Sequence, residues 1–229
     1  MWVLALDSAT TACSVALWSD GEVRAHRFTV MARGQAEALM PMVKSAMDEA
    51  GVSFRDLDLL AVTVGPGAFT GLRIGLSAAR GMALATGLPL VGVTTLEAVA
   101  HAVPPAERAG RTLLVVLDTK RTDVYAQLFS ADLAPLGPAT ALLPDDLPDV
   151  VPPGPLVVAG DGVAMVSEVL AAAGSKVLRA SVSGLPDAAH VARIAAARAP
   201  DGTSPPPAPL YLRPPDAQLP RQGGRVRRD

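Results

Sequence analysis

Short apolar runs alternate along the chain with longer segments in which apolar residues recur every three or four positions, and this order predicts an α/β protein. Eight apolar runs predict strands, at residues 2–6, 13–18, 22–29, 59–64, 90–93, 112–117, 123–130 and 156–159. Five segments with helical spacing predict helices, at residues 36–50, 72–86, 95–102, 163–173 and 188–199. The proline-rich interval 135–155 predicts mostly loop.

Turn and capping residues mark the ends of several predicted elements. The pair Asp20-Gly21 predicts a hairpin turn between the second and third strands. Gly51 predicts the C-terminal end of the first helix, because glycine accepts the left-handed conformation there. Thr70 and Thr95 are the predicted N-caps of the second and third helices. The chain therefore opens with an antiparallel three-stranded meander followed by a helix.

The order of elements predicts two lobes. Three strands, a helix, a strand and a helix make up one lobe of the two-lobed actin/hexokinase-like (ribonuclease H-like) fold. The second half of the chain begins in the same way, with a strand that ends in Asp118 and then a hairpin. We therefore predict an α/β protein in which each lobe is a mixed sheet flanked by helices.

The prolines at 104 and 105 mark the predicted boundary between the lobes. The resulting division is an N-terminal lobe at 1–103, a C-terminal lobe at 104–200 and a Pro/Arg-rich tail at 201–229, of which 209–213 is expected to return to the lobes.

Composition excludes several classes of protein. Half of the 229 residues are apolar and 18% are charged, so the chain is not globally disordered. A formal net charge of -2 argues against a protein that binds nucleic acid over its whole surface. The sequence has no apolar run long enough to predict a membrane span, and no N-terminal basic segment that would predict a signal peptide. A single cysteine, Cys13, fits a reducing compartment, so we expect a cytoplasmic protein with no membrane partner.

Residues 64–75, called here the glycine string, connect a predicted strand to a predicted helix. Three glycines and a proline within seven residues predict a tight turn. The string lacks both the Lys-Ser/Thr of a Walker loop and the spacing of a dinucleotide-binding loop. Inside the following helix, small residues recur every fourth position, at Gly71, Gly75, Ala79 and Ala83. This small-residue row predicts close contact, either within the same lobe or with a partner chain.

The glycine string closely resembles the motif of the TsaB family, bacterial proteins needed to make the threonylcarbamoyladenosine modification of tRNA. Three further stretches resemble motifs of this family, at residues 34–41, 118–125 and 209–214. Gln35 stands where the family usually has a histidine, and Asp123 stands for a glutamate. Together the matches span almost the whole chain.

The resemblance implies an accessory subunit. TsaB proteins pair with the catalytic subunit TsaD, together with the ATPase TsaE, and TsaD transfers the threonylcarbamoyl group to the adenosine next to the anticodon. We therefore expect a non-catalytic subunit that stabilises and orients a TsaD-like partner and that meets tRNA only indirectly or through its tail. Pairing with a second copy of the same chain is an alternative for the isolated protein.

The family also implies where this partner binds, because the first two helices of the first lobe form the surface that meets TsaD. Surplus apolar residues on both helices agree with a covered face. The expected interface residues are Leu39, Met42, Gly67, Phe69, Thr70, Gly71, Arg73, Gly75 and Ala79.

Two strand-end aspartates are candidates for nucleotide binding, as in other proteins of this fold. Asp7, Thr10 and Thr11 resemble a first phosphate loop, and Asp118 stands at the position of the second. Ala9 and Lys120 occupy positions where close approach of a phosphate requires glycine. The alternative is that both aspartates only form turns after strands. We expect no cofactor.

The sequence offers no catalytic group of its own. TsaD holds its metal with a His-x-x-x-His pair, whereas His26, His101 and His190 are far apart in this chain. No Gly-x-Ser-x-Gly elbow or other nucleophile motif is present. The competing hypothesis is an ATP-dependent kinase or hydrolase of the same fold, which would need glycine after each strand-end aspartate and a general base in the cleft.

The last residues of the tail are basic, with arginines at Arg221, Arg225, Arg227 and Arg228. We interpret these arginines as part of a solvated, disordered end of the chain. The alternative is that they make salt-dependent contacts with tRNA phosphates. Deletion of the residues after Pro220 is predicted to leave folding intact.

Overall fold

Two five-stranded mixed sheets form the centre of the protein, and helices cover their faces. The computed structural model describes residues 1–198 and 206–213. Its strands are β1 (Trp2–Asp7), β2 (Ala12–Ser19), β3 (Glu22–Val30), β4 (Leu59–Gly65), β5 (Leu90–Thr94), β6 (Thr112–Asp118), β7 (Val124–Phe129), β8 (Thr140–Leu142), β9 (Leu156–Ala159) and β10 (Val177–Arg179). Its helices are α1 (Gln35–Ala50), α2 (Phe69–Thr86), α3 (Thr95–Ala102), α4 (Pro105–Arg108), α5 (Leu147–Val150), α6 (Val163–Ala172) and α7 (Ala188–Ala197).

The two sheets are built on the same plan. The first has the order β3-β2-β1-β4-β5, and the second has the order β10-β9-β6-β7-β8. In the first, β1 pairs antiparallel with β2 and parallel with β4; in the second, β6 pairs antiparallel with β7 and parallel with β9. The central strands read as continuous apolar runs because both of their faces are covered. The predicted two-lobed α/β fold is confirmed.

Helices α1 and α2 cover one face of the first sheet. From α1, Leu39, Val43 and Met47 are buried in one cluster with Leu4 and Leu6 of β1. On the second sheet, α5 and α6 cover the outer face in a comparable cluster. These layers account for the broad apolar stripes in the sequence.

The inner faces are covered by helices that come from the opposite half of the chain. Helix α7, which the predicted division places in the C-terminal lobe, packs Val191 and Ala195 against Val3 of the first sheet. Helix α3, from the predicted N-terminal lobe, packs Leu96 and Val99 against the second sheet. Each sheet is therefore covered on its inner face by one helix from the other half of the chain. The lobe boundary at residue 104 stays a prediction.

The ends of the helices and strands were predicted with mixed success. Asp20 and Gly21 both have positive φ, 53° and 88°, and form the predicted hairpin turn. Gly51 ends α1 in the left-handed conformation, as predicted. The two predicted N-caps were wrong by one or two residues. Ala68 precedes α2 without a side-chain cap, which places Thr70 inside the first turn.

Helix α3 is capped by Thr94 and not by Thr95. The Thr94 hydroxyl accepts a hydrogen bond from the Glu97 N–H at 3.1 Å, and the Glu97 carboxylate accepts one from the Thr94 N–H at 3.2 Å. This reciprocal pair is a capping box, and the Thr-x-x-Glu spacing belongs to Thr94. The prediction chose the wrong member of two adjacent threonines.

The proline-rich interval 135–155 contains more structure than predicted, namely β8 and α5. Both β8 and β10 are only three residues long and lie at the two edges of the second sheet. Such short strands leave almost no periodic signal in the sequence.

Part of the tail lies outside the described residues, including the four basic positions Arg221, Arg225, Arg227 and Arg228. The described stretch 206–213 does return to the lobes. None of the helices in the described part of the chain is both long and apolar enough to cross a membrane.

Candidate functional site

A cleft of about 650 Å³ opens where β1, β4 and β6 end. Its walls come from both sheets and from the first turns of α1 and α2. The polar side chains that line it include Thr10, Thr11, Thr70, Asp118, Lys120 and Asp161.

Asp7 ends β1 but lies beneath the wall of the cleft. Its side chain is completely buried, and its Oδ1 accepts hydrogen bonds from the Thr63 hydroxyl at 2.7 Å and the Ala9 N–H at 3.2 Å. The other oxygen, Oδ2, has no hydrogen-bond partner among the described residues. Burial raises the pKa of Asp7 to about 7. Of the first-loop candidates, the structure therefore places Thr10 and Thr11 in the cleft and Asp7 outside it.

The glycine string packs directly on the backbone of the first loop. A Cβ atom at Gly67 would lie 2.3 Å from the Ala9 carbonyl oxygen, and one at Gly71 would lie 2.1 Å from the Ser8 carbonyl oxygen. The Ala68 N–H donates to Ala9 O at 2.7 Å, and the Ser8 hydroxyl donates to Gly71 O at 2.8 Å. The glycines are needed because only a residue without a Cβ permits this approach.

The small-residue row serves packing inside the chain. A Cβ at Gly75 would meet the Ser8 hydroxyl at 2.7 Å, and Ala79 is fully buried in the first core. Leu39 on α1 is equally buried. The expectation that Gly71, Gly75, Ala79 and Leu39 contact a partner is therefore corrected, because their surfaces are already covered by their own lobe.

On the other wall, Lys120 places its ammonium group beside two carboxylates. Its Nζ lies 2.8 Å from Asp118 Oδ2 and 3.7 Å from Asp161 Oδ2. Burial alone would raise the pKa of Asp118, but the hydrogen bonds from Lys120 hold that pKa below its ordinary value. Burial raises the pKa of the Asp161 carboxyl. Lys120 has a φ of 61°, a conformation that favours glycine, which is the residue expected at a phosphate loop.

This arrangement differs from the usual one at a magnesium nucleotide. Mg²⁺ in nucleotide sites is held by one or two carboxylates together with phosphate oxygens. At Asp118 the Lys120 ammonium already neutralises the carboxylate, and its side chain stands in the approach to the second loop. Among the described residues, no group of three or more His, Cys, Asp or Glu side chains is arranged to hold a metal ion.

The three histidines are not gathered at the cleft wall. The His26 Nε2 lies 2.8 Å from Asp187 Oδ1 and joins β3 to the start of α7. This hydrogen bond raises the pKa of His26. Burial lowers the pKa of both His101 and His190, which favours their neutral forms.

Gln35, at the family's usual histidine position, has a structural role in this chain. Its side-chain amide donates to the Met31 carbonyl at 3.1 Å and to the Thr10 carbonyl at 3.4 Å. It therefore links the start of α1 to the first loop.

The outer surface of α1 and α2 keeps large apolar side chains in solvent. Met40 is 44% exposed, Phe69 is 48% exposed and Leu84 is 88% exposed. The Arg73 guanidinium stacks over the Phe69 ring at 3.6 Å, and Tyr211 lies 5.5 Å from the same ring. Phe69, Thr70 and Arg73 among the expected interface residues are thus exposed, and Met42 is half-buried against the first core.

Tyr211 was not among the predicted interface residues. The sequence did carry a signal for it, since Tyr211 lies in the 209–214 stretch that resembles a family motif. Gly92, which interrupts a predicted strand, marks the close approach of Pro207 in the same segment.

Known proteins resemble this chain in sequence. The family model for TsaD, tRNA N6-adenosine threonylcarbamoyltransferase, matches residues 29–140. The tRNA threonylcarbamoyladenosine biosynthesis protein TsaB of Escherichia coli (strain K12) is 42% identical over 132 residues, which is 58% of this chain and 56% of that protein. The match thus spans little more than half the length of that curated relative.

Solved structures resemble it over nearly its full length. YeaZ from Pseudomonas aeruginosa has a TM-score of 0.76 and 30% identity, and the match covers 92% of this chain and 99% of that one. The ROK hexokinase from Thermus thermophilus has a TM-score of 0.50 and 17% identity, covering 86% of this chain and 100% of that one. At that identity the second likeness shows the fold alone.

Proposed function

Because the chain belongs to the TsaB family, we propose that it is a non-catalytic subunit in the formation of threonylcarbamoyladenosine in tRNA. Its partners would be a TsaD-like catalytic subunit and a TsaE-like ATPase. The physical role is to present a stable surface that holds and orients the catalytic subunit. Transfer of the threonylcarbamoyl group to the adenosine next to the anticodon belongs to that partner.

The observation that carries the non-catalytic part of the proposal is the position of Lys120. Its ammonium group pairs with Asp118 in the cleft, 2.8 Å from the carboxylate. A tethered cation there competes with a metal ion, and Ala9 is packed against the glycine string on the opposite wall. The usual nucleotide approach of the fold is therefore obstructed at the second loop, by Lys120.

The proposed partner surface is the outer face of α1 and α2. Exposed Met40 and Leu84 supply apolar contact, and methionine adapts to a partner because it is flexible and polarizable. Arg73, held over Phe69, supplies a rim charge that steers the encounter. In the absence of the TsaD-like subunit, a second copy of the chain would occupy the same face.

Calorimetric titration of the full chain with a TsaD-like subunit tests this surface. Met40→Glu places a charge in the proposed contact, and we expect at least about a tenfold loss of affinity, which corresponds to about 1.4 kcal/mol. Leu136→Glu is the matched control, since Leu136 is a 54% exposed apolar residue of the second lobe. Equal affinities for the two variants, or no binding by the unmodified chain, would contradict the proposed interface.

Calorimetry with Mg²⁺ and ATP tests the non-catalytic role separately. We expect weak or undetectable binding and no hydrolysis. Micromolar affinity that is lost in Asp7→Ala would instead favour the kinase or hydrolase hypothesis.

A further inference from the structure

The described end of the chain, residues 206–213, lies against the glycine string. The pairing of β4 with β5 shifts register between Thr63 and Gly65, which leaves Val64 outside the ladder. The carbonyl of Val64 accepts a hydrogen bond from the Leu210 N–H at 2.7 Å. A bulged residue normally lacks a ladder partner. Here the returning segment supplies it.

Two glycines make room for this segment. A Cβ at Gly65 would lie 2.7 Å from the Leu210 carbonyl oxygen. A Cβ at Gly92, within β5, would lie 2.9 Å from Pro207 Cβ and 2.6 Å from Val64 Cγ1. Glycine inside a strand weakens it and often marks a site where another segment approaches closely. The space that the segment occupies, called here its seat, is therefore provided by Gly65 and Gly92 of the first sheet.

Side chains of α2 hold the segment from the outside. The Arg80 guanidinium donates a hydrogen bond to the Pro207 carbonyl at 2.5 Å. The Arg73 Nε donates to the Tyr211 hydroxyl at 3.4 Å, beside the Phe69 ring. These contacts fix the segment along the first lobe from residue 207 to residue 211.

The end of the segment reaches the second lobe. The Arg213 Nη1 lies 3.2 Å from Asp123 Oδ1, in the loop between β6 and β7. Asp123 also accepts a hydrogen bond from the Thr119 hydroxyl at 2.8 Å, and Thr119 lines the cleft next to Asp118. The segment thus links the glycine string on one wall of the cleft to the second loop on the other.

We propose that residues 206–213 form a clasp that holds the two lobes at a fixed separation across the cleft. The chain passes from the first sheet to the second between β5 and β6, and it returns between β10 and α7. Two-lobed proteins open and close by hinge and shear movements about such crossings. The Arg198–Glu97 ion pair also joins the end of α7 to α3. The Arg213–Asp123 ion pair adds a connection on the cleft side and restricts that movement. The glycine string and the C-terminal motif are then two halves of one structural unit.

Distances between spin labels on the two lobes test the clasp in the full chain. Asp48→Cys on α1 and Glu168→Cys on α6 are exposed labelling positions, and Cys13, which is buried, is replaced by alanine. We expect a narrow distance distribution in the parent and a broader one in Arg213→Ala. The exchanged pair, Arg213→Asp with Asp123→Arg, should restore the narrow distribution. An unchanged distribution in a folded Arg213→Ala variant, or a failure of the exchanged pair to restore it, would overturn the proposal.

Hydrogen exchange at the Leu210 amide tests the seat independently of the ion pair. Gly92→Ala should displace Pro207 and speed exchange at Leu210. Gly81→Ala is the control, because a Cβ at Gly81 meets nothing within 4 Å. Equal protection of Leu210 in both variants would show that the segment is not seated at Gly92 and would overturn the clasp.

Discussion

Replacement of Gly71 by alanine is the sharpest test of how the glycine string works. The added Cβ would stand 2.1 Å from the Ser8 carbonyl oxygen, a backbone atom that cannot swing aside as the end of a side chain does. Helix α2 must then move away from the first loop. This movement would also strain the Ser8 hydroxyl bond to Gly71 O.

The expected magnitude combines two opposing effects. Alanine is favoured over glycine inside a helix by about 1 kcal/mol. Overpacking a well-packed site costs about 1–3 kcal/mol, and a clash with backbone belongs to the upper part of that range. We therefore expect a net loss of about 2 kcal/mol in the free energy of unfolding. For a chain of this size that loss lowers Tm by roughly 4–8 °C.

Gly81→Ala is the matched control on the same helix. Nothing lies within 4 Å of the added Cβ, so only the helix preference changes and Tm should rise by about 2–4 °C. Thermal and urea unfolding of both variants, compared with the parent, measures the opposite signs. A Gly71→Ala protein as stable as the parent, yet impaired in pairing, would refute internal packing and return the small-residue row to a partner interface.

Three further predictions concern titration and capping. Asp7 has a folded pKa of about 7 against an ordinary value of 3.8, so its contribution is fully present below the ordinary value and is lost as pH rises through about 7. Asp7→Asn should therefore flatten the fall in urea-unfolding free energy across that window, and an unchanged slope would contradict its burial. The raised pKa of His26 has the same sign, so His26→Gln should destabilise the protein below the ordinary histidine pKa and have less effect once pH exceeds the folded value. A loss that is independent of pH would argue against the ion pair with Asp187. Thr94→Ala should cost about 1 kcal/mol in unfolding free energy, with Thr95→Ala as the adjacent control, and equal effects would refute the cap.

The sequence predicted the elements of the first lobe well, because strong periodic signals coincide there with clear punctuation. The closely spaced glycines between β4 and α2 indicate a tight turn from a strand into a helix. Gly51 ends α1, as its position after the apolar stripe predicts. The short edge strands β8 and β10 escaped prediction, since three residues carry no period.

The candidate site was less predictable than the fold. The spacing of Gly71 and Gly75 indicates close contact but does not say which surface makes it, and only the position of Ser8 decides that question. Lys120 was predicted as an obstruction at the second loop. Its ion pair with Asp161 was not predicted, because Asp161 lies 41 positions away in the loop between β9 and α6. No local sequence pattern indicates a contact between residues so far apart.

The exchange of helices between the sheets has a consequence for biosynthesis. Helix α3 is made before the second sheet that it covers. Helix α7 is made after all ten strands, yet it covers β1, the strand of the first sheet that is made earliest. The inner face of the first sheet is therefore not fully covered until α7 has emerged from the ribosome. The inner face of each sheet needs a helix from the other half of the chain, so we expect the two lobes to fold as a single cooperative unit once α7 has been made.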